Sequence, residues 1–555
     1  MSERFGKGYI ERIGNLWILR LKGTPFERGL QHGILVREQA KVLLNFFESL
    51  PEILISRTLP DSRLKINALL RLKNILENEF QKNRESEVLE EINGLATGIG
   101  LDPSQIMRIS LLPDLFQVAG SLARKYKRRI PVFPRFGCTS AIRQTPGGGL
   151  LFARNLDFWG AGYWDVNPAV IFHVPDKGKA FCAIATTGFP TASVTAVNED
   201  GLALAIHQHG SLDSSFRSRP ILDIVHLLIR NASSVDEAVR IAGEQKFSGG
   251  WTLVLAHGSP PKACALEVSS KIQKARWLSN NILVSTNHFL DPELKAREIM
   301  PNASAHLSSE ARMARCQEIL DLERITSSRM ASLLNDHFDF LAGTERSAGF
   351  SISRITNISS VIFSLHDRKL WVSDSFSPTA RGGYIFFDLD KEFEGRTYPS
   401  FRIENSELPA AQKTAAQNMY LRAYLEYIGS CNFEKILDVL IECSRIDPEE
   451  STYLLMEGII RGKIGNYKAA LASIRRSLEL ERVEAKRHVI KLWEARILSL
   501  SGRRKEAKIQ FEEIAGFNDA PFRVREAARN GLRRGFHEKD INSILIDFTD
   551  GDTIE

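Results

Sequence analysis

The chain of 555 residues has few cysteines and no short motif that binds a metal ion. Six cysteines occur over its whole length, and no two of them form a Cys-x-x-Cys pair. His-Glu-x-x-His is absent as well, so the sequence offers neither a structural zinc site nor a zincin site. Scattered, unpaired cysteines are typical of reduced thiols, which predicts a cytoplasmic location.

Long apolar runs are absent too. No stretch approaches the roughly 18–20 uninterrupted apolar residues of a membrane-spanning helix, so no span is predicted. The opening stretch, MSERFGKGYIERIGNLW, has neither an apolar core nor a small-residue cleavage site, and no secretory signal is expected. PGGGL at 146–150 lacks the lysine and the following helix of a phosphate-binding loop.

The chain also lacks a concentration of charge of one sign, because its net charge of +6 is spread along the sequence. The densest basic run, RKYKRR at 124–129, indicates a solvated linker rather than a nucleic-acid patch. Pro131, Pro134 and Arg135 follow this run, and the prolines favour an extended backbone. We therefore expect an accessible approach to residue 137 and no nucleic-acid partner.

Three regions with different patterns follow one another along the chain. Residues 1–130 have apolar positions at helical spacing and are predicted to be mainly helical. From about 138 to 400, short apolar or alternating runs flank turns rich in Gly, Pro, Asp and Asn, as in β-hairpins. Helical runs such as 221–243 interrupt them, which predicts an α+β layered domain.

The region 410–540 is predicted to be helical and repetitive. SCNFEKILDVLIECSRIDP overlays IGNYKAALASIRRSLELER with an offset of 34 residues, which places Phe433 on Tyr467 and Cys443 on Ser477. A looser copy at 501–516 follows with an offset of 37 residues. A helix–turn–helix period of this length resembles the tetratricopeptide repeat, and an irregular helical region is the alternative. Residues 541–555 are predicted to form a tail.

The stretch RFGCTSAI places Gly137 directly before Cys138, and FARNLDFW follows with Arg154 and Asp157. The turn TPGGG between these stretches predicts two antiparallel strands that bring both charges near the thiol. A surface ion pair is the alternative. If the bond between Gly137 and Cys138 is cleaved, Cys138 carries a thiol and an α-amine on one residue, and proton transfer needs no separate histidine.

In that hypothesis Arg154 favours the thiolate and Asp157 positions the amine. Gly137 allows a strained backbone before scission, which a side chain would hinder. The thiol attacks the preceding carbonyl, an N-to-S acyl shift forms a thioester, and water releases the new terminus.

The stretch Gly-Cys-Thr-Ser followed by ARNLD resembles the N-terminal-nucleophile (Ntn) hydrolases of the acyl-CoA:6-aminopenicillanate acyltransferase family, peptidase C45. Choloylglycine hydrolases and acid ceramidases are relatives of this family. GTPFERGLQHG (23–33), EEINGLATGIGL (90–101), VNEDGLALA (197–205), STNHF (285–289) and FSISR (350–354) resemble further family segments. The resemblance implies a four-layer αββα sandwich at 138–405, preceded by a helical pro-segment at 1–137.

The resemblance also implies a set of site residues, with cleavage between Gly137 and Cys138. Cys138 would be the nucleophile, and Asn287 would polarise the acyl carbonyl or hold the tetrahedral intermediate. Gln208 stands where choloylglycine hydrolases have an oxyanion-hole asparagine, which makes it the oxyanion candidate. The full catalytic set implied is Cys138, Arg154, Asp157, Asn287 and Arg354.

The expected function is therefore acyl transfer or amide hydrolysis on a small acyl amide or thioester, without a cofactor and with acyl-CoA as a candidate co-substrate. A papain-like protease with His288 as base is one alternative. Another is a non-enzymatic scaffold with a degenerate Ntn domain, and the repeats are candidates for binding a protein partner in either case. His207 and His209 are spaced to bind a metal, but the sequence shows no third ligand, so no metal is predicted. Cys182 and Cys264 lie in β runs and are expected in the core.

Overall fold

A computed structural model describes residues 2–58, 63–125, 137–321, 325–395, 402–403 and 410–554. The predicted linker residues Pro131, Pro134 and Arg135 and most of the basic run lie outside these ranges. The strands are β1 (Ser2–Phe5), β2 (Gly8–Ile13), β3 (Leu16–Gly23), β4 (Gly137–Gln144), β5 (Leu150–Asp157), β6 (Pro168–Pro175), β7 (Phe181–Thr186), β8 (Thr195–Asn198), β9 (Ala203–His209), β10 (Gly250–Gly258), β11 (Pro261–Val268), β12 (Gln273–Trp277), β13 (Ile282–Ser285), β14 (Phe338–Asp339), β15 (Thr344–Glu345), β16 (Asn357–Ser364), β17 (Lys369–Ser373), β18 (Tyr384–Asp388), β19 (Arg402–Ile403), β20 (Leu545–Asp547) and β21 (Asp552–Ile554). The helices are α1 (Pro25–Leu35), α2 (Arg37–Thr58), α3 (Arg63–Gln81), α4 (Ser86–Ile99), α5 (Pro103–Lys125), α6 (Ile221–Asn231), α7 (Val235–Gly243), α8 (Pro292–Lys295), α9 (Ala303–Leu320), α10 (Ser327–Leu334), α11 (Leu389–Phe393), α12 (Ala411–Ile428), α13 (Phe433–Ile446), α14 (Ser451–Lys463), α15 (Tyr467–Leu480), α16 (Glu484–Leu500), α17 (Arg504–Gly516), α18 (Phe522–Arg534) and α19 (Glu538–Asn542).

Two large sheets form the centre of the fold. The first has ten strands in the order β1-β2-β3-β6-β7-β8-β9-β10-β11-β12, and the second has seven in the order β13-β4-β5-β16-β17-β18-β19. Their inner faces pack together through apolar side chains such as Phe172 and Phe387, whose ring centroids are 6.4 Å apart. Helices α1, α4 and α6 cover the outer face of the first sheet, and α9 and α10 cover that of the second. The predicted αββα sandwich is confirmed.

The first twenty-three residues correct the expectation of a mainly helical segment. They form β1, β2 and β3, and β3 pairs in parallel with β6, with Ile18 opposite Val170. The run WILRL is short and apolar, and such a run fits a buried strand as well as a helix. The tertiary position of this run favours the strand over the helix, because β3 is flanked by strands on both sides and is buried in the sheet. The predicted pro-segment thus contributes three strands to the first sheet.

Helices α1 and α4 of the pro-segment cross at close range through glycines. A Cβ on Gly29 would lie 2.0 Å from the carbonyl oxygen of Glu91, and one on Gly94 would lie 2.1 Å from that of Phe26. The two backbones therefore touch where any side chain would separate them. This contact explains the glycine spacing in GTPFERGLQHG and EEINGLATGIGL.

Helix α5 leads from the pro-segment towards Gly137. It is long and apolar enough to cross a membrane, but 78% of its most apolar window is buried within the protein. Leu111, Leu115 and Phe116 belong to the main apolar core. This burial is typical of a core helix in a globular protein.

Helices α12 to α18 form a run in which each packs against the next. α13 and α15 begin at Phe433 and Tyr467, as the offset of 34 predicts, and their assignment to the tetratricopeptide family stays a prediction. The predicted tail is corrected, because β20 and β21 form a hairpin whose apolar residues Ile546 and Phe548 are buried in the core.

Candidate active site

Cys138 is the second residue of β4 and is fully buried where the two sheets meet. Its Sγ lies 3.5 Å from Nη2 of Arg154 and 3.6 Å from the carbonyl oxygen of Ile206. Ile206 belongs to β9 of the opposite sheet. The thiol is therefore enclosed by both sheets and contacts a cation.

The register between β4 and β5 explains the contact with Arg154. The strands are antiparallel, with Ser140 opposite Arg154, so Arg154 reaches Cys138 diagonally along one face. Its guanidinium is buried and donates to the carbonyl oxygens of Val194 (2.8 Å) and Ile206 (2.7 Å). These bonds hold the cation beside the sulfur. The predicted strand pairing is confirmed, and its source is the short TPGGG turn.

Burial raises the pKa of the Cys138 thiol in the uncleaved chain. The Arg154 guanidinium acts in the opposite direction, but it does not offset burial. Asp157 adds to the rise through its negative charge. The thiol is therefore protonated at neutral pH, and its activation requires a base.

Asp157 faces Gly137 rather than the sulfur. The register pairs these two residues, and a Cβ on Gly137 would lie 3.0 Å from Cβ of Asp157 and 2.9 Å from Nη1 of Arg354. Nη1 of Arg354 is 3.9 Å from Oδ2 of Asp157. Burial raises the pKa of Asp157, and Arg354 lowers it. The residue before the thiol thus sits on a buried carboxylate–guanidinium pair that leaves no room for a side chain.

Asn287, in the loop after β13, binds the backbone nitrogen of Cys138. Its Oδ1 accepts from that N–H at 2.7 Å and from Nη2 of Arg312 at 3.0 Å, and its Nδ2 donates to the carbonyl oxygen of Gln208 at 3.3 Å. Both groups on Oδ1 are obligatory donors, so the amide orientation follows from chemistry. In the uncleaved chain Asn287 therefore contacts the nitrogen that would become the α-amine.

Arg312 is a site residue that sequence reasoning missed. It lies on α9, is buried, and its Nη1 donates to the carbonyl oxygen of Cys138 at 2.6 Å and to Oγ1 of Thr139 at 2.7 Å. Ser308, Arg312 and Cys316 are spaced four apart on one buried helix face, and this pattern was the available signal. Nothing local distinguishes Arg312 from Arg315, which pairs with Asp336 instead.

Gln208 is near the site but engaged elsewhere. Its side-chain Nε2 donates to the carbonyl oxygen of Pro113 on α5 at 3.2 Å, while its backbone carbonyl oxygen accepts from Nδ2 of Asn287. The amide that would serve an oxyanion hole is thus bound to the pro-segment in the single chain. Its catalytic role stays a prediction.

The histidines around the site take part in hydrogen bonds. Nδ1 of His207 must donate to the carbonyl oxygen of Thr286 (3.0 Å), so its Nε2 accepts from Oγ of Ser140 (2.7 Å). Burial lowers the pKa of His207 well below its usual range. Nε2 of His209 bonds Oγ1 of Thr252 at 2.8 Å. The two imidazoles thus bond different hydroxyl groups, and the described residues contain no cluster of three metal-binding side chains.

His288, the base of the protease alternative, bonds Oγ of Ser309 at 2.8 Å through Nδ1. Burial lowers its pKa to about 3. Among its hydrogen bonds in the described part of the chain, none reaches Cys138. Cys182 and Cys264 are buried in the sheets, as predicted, and burial raises their pKa values.

Residues 144–374 match the protein family described as acyl-coenzyme A:6-aminopenicillanic acid acyl-transferase. This central region is similar to that acyltransferase family. The matched range begins six residues after Cys138 and contains Arg154, Asp157, Asn287 and Arg354 of the predicted set. The resemblance drawn from the motifs is confirmed, and the family match indicates an Ntn-type acyltransferase or amidase domain. The position of Cys138 beside these residues comes from the structure.

Three curated relatives share part of the chain. An uncharacterized protein of Archaeoglobus fulgidus is 22% identical over 327 residues, which are 53% of each chain. Protein dcd1A and Protein dcd1B of Dictyostelium discoideum are 25% and 27% identical over 31% of this chain, and over 40% and 34% of their own. The chain therefore spans about half the length of the first relative and less of the other two. The Caenorhabditis elegans ortholog of N-acylethanolamine-hydrolyzing acid amidase is a solved structure with 15% identity and a TM-score of 0.31, covering 41% of this chain and 93% of its own.

Proposed function

We propose that the chain cleaves its own bond between Gly137 and Cys138 and then acts as an acyltransferase or amidohydrolase with Cys138 as an N-terminal nucleophile. The observation that carries this proposal is the double contact of Cys138. Its thiol meets Arg154, and its backbone nitrogen meets Asn287. A cysteine that serves only the core has no need for a buried cation on its sulfur and an amide on its nitrogen.

The processing step starts from the thiol of Cys138, which attacks the carbonyl carbon of Gly137. The C–N bond breaks, the sulfur carries the acyl group as a thioester, and the thiol proton passes to the nitrogen that becomes the α-amine. Water then hydrolyses the thioester, so that Gly137 leaves as a carboxylate and the thiol is restored. Asn287 accepts a hydrogen bond from the nitrogen throughout, and Arg312 fixes the Cys138 carbonyl.

In turnover the α-amine takes the thiol proton while the sulfur attacks the acyl carbon of an amide or thioester. The leaving amine or thiol receives that proton, and the acyl group stays on the sulfur until water or another amine accepts it. Arg154 stabilises the developing thiolate, and Asp157 binds the α-ammonium. The family description supports acyl-CoA as a candidate acyl donor. A cytoplasmic location remains part of this proposal.

An intact-mass spectrum of freshly purified protein under denaturing conditions tests processing. Two chains that meet at Gly137 and Cys138 are expected for the wild type, one chain for Cys138→Ala, and slow cleavage for Cys138→Ser. Cys431→Ser is the matched control, because this half-buried cysteine lies in the helical region. A wild type that stays whole and still has full amidase activity would refute processing.

A thiol-directed acyl analogue tests turnover separately. The expected result is one acyl adduct, mapped to Cys138 by peptide mass spectrometry and absent from Cys138→Ala. If the processed protein forms no adduct and hydrolyses no acyl amide or thioester, the scaffold alternative replaces the enzyme.

A further inference from the structure

The turn between β20 and β21 reaches the cleavage site from the far end of the chain. Thr549 and Asp550 lie at its tip, and Phe548 packs against the rings of Tyr420 and Tyr427 on α12, with centroids 5.4 Å apart in both cases. The backbone nitrogen of Ile546 donates to the hydroxyl of Tyr427 at 3.0 Å. The hairpin is therefore seated on the helical region.

Buried polar contacts fix the turn on its other side. Oδ2 of Asp547 accepts from Asn302 at 2.9 Å, and Oδ2 of Asp552 accepts from Oγ of Ser304 at 2.8 Å. Nζ of Lys486 on α16 donates to the carbonyl oxygen of Asp550 at 3.0 Å. The position of the tip is thus set jointly by α9 of the catalytic domain and α16 of the helical region.

The side chain of Asp550 forms an ion pair with Arg354 through Oδ1 and Nη2. Oγ1 of Thr356 and Oγ1 of Thr549 are hydrogen-bonded at 3.3 Å, which ties the tip to the segment that carries Arg354. The other end of the same guanidinium stays 3.9 Å from Asp157. Arg354 is buried, so it shares one positive charge between two carboxylates with little screening by water.

We infer that Asp550 is a positioning residue that holds the Arg354 guanidinium beside Gly137 and short of a direct hydrogen bond to Asp157. The Asp157 carboxylate then keeps its oxygens available for the amine of Cys138. This inference rests on the proposed function, and it makes the helical region part of the cleavage machinery through the hairpin it carries.

Several charged groups face Asp157 from the elements packed against it: Cys138 on β4, Arg154 on β5, Arg312 on α9, Arg354 before β16, and Asp550 on the hairpin. Asp547 on the hairpin faces the Arg354 partner of Asp157. Arg354 and Arg312 lower the pKa of Asp157, whereas Asp550 raises it. Loss of the Asp550 charge would remove the raising effect and let Arg354 bind Asp157 directly. Both changes lower the pKa of Asp157.

The test compares Asp550→Asn with Asp550→Glu. Full-length chains made by cell-free synthesis are moved at once into buffers from about pH 5 to 9, and cleavage is timed by denaturing intact mass. Asp550→Asn should slow cleavage about tenfold at neutral pH, because a charged hydrogen-bond partner is lost. It should also shift the low-pH side of the rate profile to lower pH, whereas Asp550→Glu should keep the wild-type profile. Asp438→Asn, an exposed carboxylate on α13, is the matched control and should change neither quantity.

Circular dichroism and thermal unfolding verify that each variant is folded, and Asp550→Ser is the second uncharged variant if Asp550→Asn is not. Cleavage at the wild-type rate and profile in the uncharged variant would overturn the inference and leave the proposed function intact. Slow cleavage with an unmoved profile would also overturn it, since a merely structural role gives that result. A wild type that never cleaves would overturn the proposed function and this inference with it.

Discussion

The guanidinium of Arg312 donates to the carbonyl oxygen of Cys138 across 2.6 Å, although the two residues are 174 positions apart in the chain. The same side chain holds Thr139 and the oxygen of Asn287. One buried fork therefore fixes the backbone on the carboxyl side of the nucleophile and the amide that meets its nitrogen. Such planar, multi-point binding is a property of arginine that lysine lacks.

Replacing Arg312 by lysine should slow both cleavage and acylation of Cys138 by about 10- to 100-fold, because hydrogen bonds to a charged group contribute about 1.5–3 kcal/mol. Intact-mass spectra taken at successive times measure the rate of cleavage. Quenched acylation assays on the processed protein measure the rate at which Cys138 is acylated. Arg315→Lys on the same helix is the control, since Arg315 pairs with Asp336 instead. Equal rates for the Arg312 variant and the wild type would show that the hydrogen bonds of this guanidinium do not contribute to either reaction.

Substitution of Gly137 by alanine should slow cleavage about 100-fold, so that the freshly purified chain is still whole. Its new Cβ would lie 2.9 Å from Nη1 of Arg354 and 3.0 Å from Cβ of Asp157, so the strand end must shift. A shift of about 1 Å in an attacking geometry costs about 100-fold in rate. Gly147→Ala, in the turn after β4, has open space around its Cβ position and should cleave as the wild type does. Intact mass separates the two, and normal cleavage of Gly137→Ala would contradict the account of this position.

The part of the site that the sequence predicts depends on local geometry. Arg154 reaches Cys138 because a short turn joins two antiparallel strands, and a hairpin of that kind can be read from its turn and its flanking runs. Asn287 and Arg354 were found through family motifs, which carry information about positions far apart in sequence. The layered fold followed from the same hairpin pattern.

The features of the site and fold that the sequence does not predict depend on contacts between segments far apart in the chain. Asp550 is 196 residues from Arg354, and its neighbourhood, DFTDGDTIE, has the polarity of a solvated tail. Arg312 sits on a helix with another arginine close by, and only the packing of α9 on the sheet selects between them. β3 lies in the stretch predicted to be mainly helical, because a short apolar run fits a helix as well as a strand, and only its pairing with β6 decides its structure.

The crossing of α1 and α4 predicts how the pro-segment responds to a small change. Gly29→Ala should lower the free energy of unfolding by about 1–3 kcal/mol, because the added methyl group would overlap the Glu91 carbonyl. Urea unfolding of the uncleaved Cys138→Ala chain provides the measurement. Gly120→Ala, on α5 with no atom within 4 Å of its Cβ position, should change stability by less than about 1 kcal/mol. Equal effects of the two substitutions would exclude a close helix crossing.

Cleavage should not release the pro-segment, because β3 stays hydrogen-bonded to β6 along the whole strand. Size-exclusion chromatography of the processed wild type in native buffer should give one peak that contains both chains. The two chains should separate in denaturant, where the sheet is lost. Two native peaks with separate chains would contradict the shared sheet.

Two buried histidines predict that stability falls on acidification. Burial lowers the pKa of His32 to about 3 and of His226 to about 4, whereas a histidine in the unfolded chain has its ordinary pKa of about 6.5. Between these values the unfolded chain binds more protons than the folded one, so stability is full above about pH 6.5 and declines below it. At pH 5 each histidine should have reduced the free energy of unfolding by about 2 kcal/mol relative to neutral pH.

His226→Gln in the Cys138→Ala chain should reduce this loss between neutral pH and pH 5 by about 2 kcal/mol, whatever its effect at neutral pH. Urea unfolding at the two pH values gives the difference directly. His366→Gln, which replaces an exposed histidine, is the matched control. His32 links the acid sensitivity of the fold to the predicted pro-segment. It lies on α1, and its Nε2 accepts from the Gly188 N–H. A pH dependence that His226→Gln leaves unaltered would place the acid-sensitive group elsewhere.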